Sequence, residues 1–155
     1  MDFGLSTGEA LSRKKIFGPN HLRKERKRCC FGLCYETEDD NYSKVQNTGQ
    51  FTVLRNGGLF MLGEDELVPG DVVNLTAPDN VPADCIVFEA TECKVNEGGV
   101  TGDCEPVEKN LESKEVALQS PNALWFGTSI SWGECRVIVV RTGKYTLLAS
   151  IAELC

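Results

Sequence analysis

Residues 66–110 read ELVPGDVVNLTAPDNVPADCIVFEATECKVNEGGVTGDCEPVEKN, and this stretch decides the fold. Two proline turns divide it: Pro69-Gly70 precedes a pair of valines, and residues 78–80 (Pro-Asp-Asn) follow the next apolar run. Proline presets φ in such turns, and Asp or Asn bonds back to its own backbone. Short apolar runs between turns of this kind predict a β scaffold built from short strands.

A glycine-rich loop closes the same stretch. Three glycines flank Thr101 in the run GGVTG (98–102), so the backbone there can adopt conformations that residues with a Cβ resist. We therefore expect Thr101, Gly102 and Asp103 to form a loop that projects a carboxylate from the scaffold, a common way to place functional groups. A Thr-Gly-Asp sequence is also an ordinary surface turn, so the loop alone does not establish a function.

Four short motifs occur in one order along the chain. They are LVPGDVV (67–73), DNVPAD (79–84), VNE (95–97) and TGDCEPVEK (101–109). This series resembles the actuator domain of P-type ATPases, whose pattern runs Leu-Val-Pro-Gly-Asp, Pro-Ala-Asp, Val-Asp-Glu-Ser and Thr-Gly-Glu-Ser-x-Pro-Val-x-Lys. Two departures fall in the loop: Asp103 stands where the family has glutamate, and Cys104 where it has serine. Two others precede it, Asn96 for aspartate and Gly98 for serine.

The resemblance implies a mainly β fold, a distorted jelly-roll actuator domain with a docked N-terminal helix and a C-terminal helix. Short strands and frequent Gly and Pro turns support the all-β part independently. The N-terminal helix follows from the residues themselves, because Ser6 with Glu9 forms a capping box and Gly18-Pro19 ends the helix. Its apolar residues recur at roughly helical spacing, and so short a helix must dock on the rest of the protein.

We expect three segments in the chain. Residues 1–22 form an N-terminal helical segment that packs on the actuator domain, residues 23–50 a linker in place of the first membrane hairpin, and residues 51–155 the β actuator domain. The linker is too short for the two membrane helices that such pumps place there. The chain is therefore expected to comprise the cytosolic parts of a pump without its membrane helices; a natural truncation or splice form is the alternative. The basic run 23–28 is either a solvated linker or a juxtamembrane patch facing anionic lipid headgroups.

Apolar runs and turn residues locate the strands. The predicted strands are 51–55, 59–62, 72–75, 85–88, 124–130 and 135–140. The turn Asn56-Gly57-Gly58 makes a hairpin of the first two, and residues 131–134 (Ser-Trp-Gly-Glu) are interpreted as the turn of another hairpin between the last two. Residues 111–119 are expected to form a loop or a single helical turn, and the chain to close with a strand, a turn and a helix.

Composition excludes several classes of protein. The chain has 155 residues and a net charge of −7, so it lacks the basic face that a nucleic-acid binder needs. No apolar run reaches the ~18–20 residues that span a bilayer, and no signal peptide is recognised, so we expect a soluble chain at the cytosolic face of a membrane. Its eight cysteines are mostly scattered, which favours reduced thiols. Cys29, Cys30 and Cys34 form the one cluster, and with no second ligand pair we expect no metal site.

The chain shows neither a Gly-rich phosphate loop nor the Asp-Lys-Thr-Gly motif of P-type pumps, so alone it should not hydrolyse ATP. The resemblance implies a role in trans, in which Thr101, Gly102 and Asp103 approach the phosphorylated aspartate of a separate domain. There the carboxylate would position a water that attacks the aspartyl phosphate, and domain rotation would couple this step to ion transport. Glu105 and Lys109 are expected as surface charges that form ion pairs with the neighbouring domain.

The implied partners are the phosphorylation and nucleotide-binding domains of the same pump and the membrane helices of the parent protein. Mg²⁺ and ATP would bind in that parent, with no cofactor in this chain. Within the family, the sequence looks most like the cation pumps of the sodium, potassium and calcium type, and the ion is set by membrane helices. The alternative is a stand-alone or degenerate β domain that acts as a non-catalytic interaction or regulatory module.

Overall fold

The computed structural model describes residues 3–21, 49–102, 105–116 and 120–154. Within them, seven strands form one antiparallel sheet in the order β2-β1-β3-β7-β4-β5, with β6 paired to β4. The strands are β1 Gln50–Arg55, β2 Gly58–Gly63, β3 Val72–Thr76, β4 Asp84–Asn96, β5 Val107–Glu108, β6 Ala123–Leu124 and β7 Ser129–Arg141. The helices are α1 Thr7–Phe17, α2 Gly98–Thr101 and α3 Leu147–Leu154, with short 3₁₀ turns at Glu64–Glu66 and Gly143–Tyr145.

One apolar core holds the sheet together. Its almost fully buried side chains come mainly from β1, β3, β4 and β7: Val53, Val73, Leu75, Val87, Val95, Val137 and Val139. Burying one such side chain stabilises the fold by about 1.5–3 kcal/mol. The prediction of a mainly β domain with a helix at each end is confirmed.

The first hairpin forms as predicted. Asn56 and Gly57 have φ values of 50° and 72°, which are those of a two-residue turn that matches the twist of the flanking strands. The predicted strand at 85–88 is the first third of β4, which continues to Asn96 through exposed polar residues and the buried Cys93 and Val95. Residues 111–116 form neither a helix nor a strand, and residues 117–119 lie outside the described part of the chain.

The second predicted hairpin is wrong. Residues 131–134 do not turn the chain; they lie inside β7, one continuous strand of 13 residues. The pairing of β4 with β7 shifts register between Thr91 and Lys94, and Gly133 opposite this bulge has φ 75°. A Cβ on Gly133 would lie 2.4 Å from the carbonyl oxygens of Thr91 and Glu92. Glycine therefore permits a close backbone approach at a bulge, where the sequence suggested a turn.

The N-terminal helix α1 begins with the predicted capping box, since the Ser6 side chain accepts from the N–H of Glu9 and the Glu9 carboxylate from that of Ser6. Ala10 is the one buried residue of this helix, whereas Leu11 and Ile16 are 58% and 71% exposed. The helix therefore docks mainly through polar contacts instead of through the expected apolar stripe.

Several predictions fall outside the described residues. They include the basic run 23–28, most of the linker, and the cluster of Cys29, Cys30 and Cys34. In the described ranges, no helix has both the length and the apolar composition needed to cross a bilayer.

Candidate functional site

Thr101 and Gly102 lie in the loop at the tip of a hairpin formed by the end of β4 and the short strand β5. Lys94 pairs with Glu108, and Val95 with Val107, in antiparallel register. β4 also pairs along its length with β7 in the middle of the sheet. The loop that follows Asn96 is therefore carried by strands that belong to the core of the domain.

A single helical turn, α2, gives the first half of the loop its shape. The N–H of Thr101 donates to the Glu97 carbonyl (2.9 Å), and the N–H of Gly102 to the Gly98 carbonyl (3.1 Å). The side-chain oxygen of Asn96 accepts from the N–H of Gly98 (3.0 Å), so asparagine supplies an acceptor where the family pattern has aspartate. Gly102 then takes a left-handed φ of 83° and ends the turn.

The predicted site residues lie at different depths. Thr101 and Gly102 are exposed at the tip, and Glu105 is exposed where the described chain resumes. Asp103, the predicted carboxylate, lies outside the described residues. Lys109 corrects the sequence analysis: the expected surface charge is a buried side chain, 4% exposed, at the end of β5.

Buried Lys109 pairs with Glu97. Its Nζ lies 2.7 Å from Oε1 of the carboxylate, and the two side chains are 3% and 5% exposed. The backbone N–H of Lys109 donates to the Cys93 carbonyl (2.8 Å), which fixes the lysine against β4. Removing one partner of a buried pair leaves an uncompensated charge and costs about 3–5 kcal/mol. The ion pair therefore joins the residue before α2 to the strand that leaves the loop.

Sequence reasoning missed Glu97 as the partner of Lys109. Only the hairpin register would have identified it, since that register places Lys109 opposite Cys93, on the same face of the hairpin as Val95 and Glu97. The long lysine side chain then reaches along that face to the Glu97 carboxylate. A lysine near an exposed loop was instead taken for a surface charge.

The aspartate of the Pro-Gly-Asp motif has a structural role. Asp71 is fully buried and accepts from Nε of Arg55 at 2.8 Å and from Nη2 at 2.6 Å. Its Oδ2 also accepts from the N–H of Val68 at 2.9 Å. Bidentate pairing of this kind is strong and directional, so Asp71 joins β1 to the turn that leads into β3.

The glycine of the same motif receives the N-terminal helix. Gly70 has φ 97°, and its N–H donates to the Val139 carbonyl of β7 (2.7 Å). Arg13 of α1 donates to the Pro69 carbonyl (2.6 Å), and a Cβ on Gly70 would lie 2.0 Å from the guanidinium. Glycine at this position therefore lets α1 dock on the turn.

The aspartate of the Pro-Ala-Asp motif holds the other helix. Buried Asp84 accepts from the N–H of Phe126 (3.0 Å) and from that of Leu147 (2.7 Å), the first residue of α3. Burial raises the pKa of Asp84, and these two N–H donors partly offset the rise. A carboxylate at the first turn also interacts favourably with the helix dipole.

Asn20 ties the end of the N-terminal segment into the same region. Its side-chain nitrogen donates to the carbonyls of Pro82 (2.8 Å) and Glu64 (3.0 Å). Its side-chain oxygen accepts from the N–H of Gly143 (2.9 Å), just before α3. The Pro-Gly-Asp and Pro-Ala-Asp motifs therefore anchor the terminal helices, whereas Thr101 and Gly102 of the Thr-Gly-Asp motif are exposed.

Two comparisons with known proteins fit this arrangement. A family model described as the P-type ATPase actuator domain matches residues 45–155. The chain is also 33% identical over 129 residues to the potassium-transporting ATPase alpha chain 1 of Xenopus laevis. That alignment covers 81% of this chain, which spans only 12% of the length of the relative. Because the family match extends over most of the sequence, this chain belongs to the P-type ATPases, as an actuator domain.

Proposed function

We propose that the Thr-Gly-Asp loop of this actuator domain positions the water that dephosphorylates the aspartyl-phosphate intermediate of a cation pump. The observation that carries the proposal is the buried ion pair of Glu97 and Lys109, which fixes the base of an exposed, glycine-shaped tip. A loop that inserts a polar group into a neighbouring domain needs a fixed base and an accessible tip. The name of the Xenopus relative includes potassium transport, and we propose that the parent of this chain also transports a cation.

Each loop residue has a separate task in this proposal. The Asp103 carboxylate accepts a proton from the water as its oxygen attacks phosphorus and the bond from phosphorus to the aspartyl oxygen breaks. Gly102 lets the backbone approach a crowded phosphoryl group, since no atom of the described residues lies within 4 Å of the place where a Cβ would stand. Thr101 is held for this approach by the bonds of its N–H (2.9 Å) and hydroxyl (3.2 Å) to the Glu97 carbonyl.

Coupling to ion transport is proposed to depend on the anchored terminal helices. Arg13 and Asn20 attach the N-terminal segment to the sheet, and Asp84 attaches α3. Rotation of the domain would then move both helices with the loop as one body. Mg²⁺ and ATP would bind to other domains of the parent pump, which are also the proposed partners of the loop.

The test is the rate of phosphoenzyme decay in the full-length parent pump. Asp103→Glu should speed decay, because a shift of about 1 Å in a catalytic group can cost on the order of 100-fold. Asp103→Ala should nearly stop decay, because no carboxylate remains to accept the proton. Glu112→Ala, which removes an exposed acid outside the loop, is the matched control and should leave the rate unchanged.

Two outcomes contradict the proposal. Equal decay in the native, Asp103→Glu and Asp103→Ala forms would remove the loop from the reaction. A comparable slowing by Glu112→Ala would mean that any lost surface charge affects the rate. Either result would favour the alternative, a non-catalytic interaction module built on the same fold.

A further inference from the structure

The strand β2 is an edge of the sheet and is apolar on both faces. It lies at one end of the strand order, and Leu59, Phe60 and Met61 expose 64%, 46% and 58% of their surfaces. Natural proteins usually protect such an edge with a charge, a proline or a bulge. The run GLFMLG (58–63) contains neither a charged residue nor a proline, so this edge is suited to pairing with another strand.

The hairpin turn determines which backbone groups point outward. Asn56-Gly57 is a two-residue turn with both φ values positive, and Arg55 pairs with Gly58 across it. The residues that flank such a turn exchange both of their hydrogen bonds. From this pair onward, bonding between β1 and β2 alternates residue by residue.

The alternation leaves two residues of β2 with outward backbone groups. Phe60 and Leu62 bond to β1, whereas Leu59 and Met61 direct their N–H and C=O groups away from the sheet. The two N–H and two C=O groups of these residues can therefore form main-chain hydrogen bonds with an added strand.

We propose that two copies of this chain pair through β2, edge to edge and antiparallel, about a twofold axis at Phe60. In this register, Leu59 of each copy exchanges two main-chain hydrogen bonds with Met61 of the other, giving four bonds in all. The two Phe60 side chains lie directly opposite each other at a non-hydrogen-bonded position, where side chains approach most closely. An isologous contact of this kind closes at a dimer.

Neighbouring registers are blocked by hydrogen bonds within the chain. An axis at Met61 would need the N–H of Gly63, which already donates to a carboxylate of the adjacent 3₁₀ turn (3.2 Å). An axis at Leu59 would need the N–H of Gly57, which already donates to the Phe3 carbonyl (2.8 Å). The proposed axis uses only outward groups that have no partner among the described residues.

Charge selects the antiparallel direction. The acidic run Glu64–Glu66 follows β2 directly, in a chain whose net charge of −7 opposes association. Parallel pairing would bring the two acidic runs together. Antiparallel pairing places them at opposite ends of the joint sheet, about 30 Å apart at ~3.4 Å per residue, which is well beyond the Debye length of about 10 Å.

The dimer is expected to be weak. A stable interface buries about 800 Å² on each partner, and interfaces below that size are typical of transient complexes. One strand edge with three exposed apolar side chains is smaller than this. We expect a dissociation constant on the order of 10–100 μM.

The experiment is sedimentation equilibrium of the full chain from about 5 to 500 μM. The mean mass should rise from 17.0 kDa toward twice that value and stop there. Leu59→Lys should hold the mass at the monomer value and raise the dissociation constant at least tenfold. Leu111→Lys is the matched control, because Leu111 is similarly exposed (60%) outside any strand, and it should dimerise like the native chain.

A second variant tests the backbone bonds. Met61→Pro removes an outward N–H that β1 does not use, and proline is tolerated at such an edge position. This variant should keep the native circular dichroism spectrum and remain monomeric. A native chain that stays at 17.0 kDa throughout would overturn the proposal, as would self-association that persists in both Leu59→Lys and Met61→Pro. Growth of the mass past the dimer would also contradict the closed twofold contact.

Discussion

The two ends of β4 use buried acids in different ways. At its first residue, the Asp84 carboxylate accepts from two backbone N–H groups, and one of these begins α3. Just beyond its last residue, Glu97 meets one ammonium group, that of Lys109. At the first end, Asp84, Asp71 and Asn20 each make two or more side-chain hydrogen bonds, whereas at the second end the Glu97 side chain makes one ion pair, next to the exposed Thr101 and Gly102. The first end, the anchored end, therefore attaches the terminal helices to the sheet, and the second, the loop end, presents Thr101 and Gly102.

Breaking the anchored end should have the largest effect on stability. Asp71→Ala would leave Arg55, whose side chain is 13% exposed, without its bidentate partner. We expect a loss of about 3–5 kcal/mol in the free energy of unfolding, measured by urea denaturation. A domain of this size has only about 5–15 kcal/mol in total, so expression should also fall.

The matched control for this anchor is an exposed ion pair. Glu89 and Arg136 lie 2.9 Å apart, with side chains 60% and 37% exposed, and Glu89→Ala should cost less than about 1 kcal/mol. Equal losses in Asp71→Ala and Glu89→Ala would remove the distinction between anchoring and surface acids.

At the loop end, one substitution should lower the free energy of unfolding by less, and a second substitution should restore most of the loss. Lys109→Met leaves Glu97 buried without a cation, and we expect a loss near the lower end of the range of about 3–5 kcal/mol in urea denaturation. The double variant Lys109→Met with Glu97→Gln should recover most of this loss, because no unpaired charge remains. A loss below about 0.5 kcal/mol in the single variant would indicate a solvated lysine.

The sequence predicted what short-range chemistry determines. The capping box of Ser6 and the turn at Asn56-Gly57 each depend on residues a few positions apart, and both formed as predicted. The exposed position of Thr101 and Gly102 also followed from local glycine chemistry.

Long-range pairing accounts for the errors. Gly133 was predicted to lie in a turn, but its role is to let the backbone approach the carbonyls of Thr91 and Glu92. Those carbonyls lie about 40 residues earlier in the chain, so nothing near Gly133 in the sequence indicates them. The burial of Lys109 depends on the short pairing of β5 with β4. Neither contact produces a periodic or local pattern in the sequence. A single sequence therefore locates the motifs but does not give the strand register that buries Lys109.

The conformation of the loop tip can be tested by adding a single methyl group. Gly102→Ala introduces no steric contact with the part of the chain that the structure describes, since nothing there lies within 4 Å of the added Cβ, but it imposes a left-handed φ on alanine. That conformation costs about 1–2 kcal/mol. Gly8→Ala in α1 is the control, because its added Cβ also meets open space and its φ is not positive. It should stabilise the chain slightly, and equal effects of the two variants on urea unfolding would mean that the tip is not held in this conformation.

The smallest expected effect is a pH dependence that arises from Glu64, whose backbone carbonyl binds Asn20 at the anchored end. Burial, with the adjacent Asp65 charge, raises the pKa of Glu64 from 4.5 to about 7. The folded state therefore holds this proton after the unfolded chain has released it, and stability should fall as pH rises from about 4.5 to 7. Since solvent screens a half-buried carboxyl, we expect a fall of about 1 kcal/mol.

The variant Glu64→Gln keeps the backbone carbonyl that binds Asn20. It should remove this contribution to the pH dependence of thermal unfolding between about pH 4.5 and 7. If thermal stability changes with pH in the same way in the native protein and in Glu64→Gln, then Glu64 titrates as an ordinary surface acid and does not make the stability of the domain depend on pH.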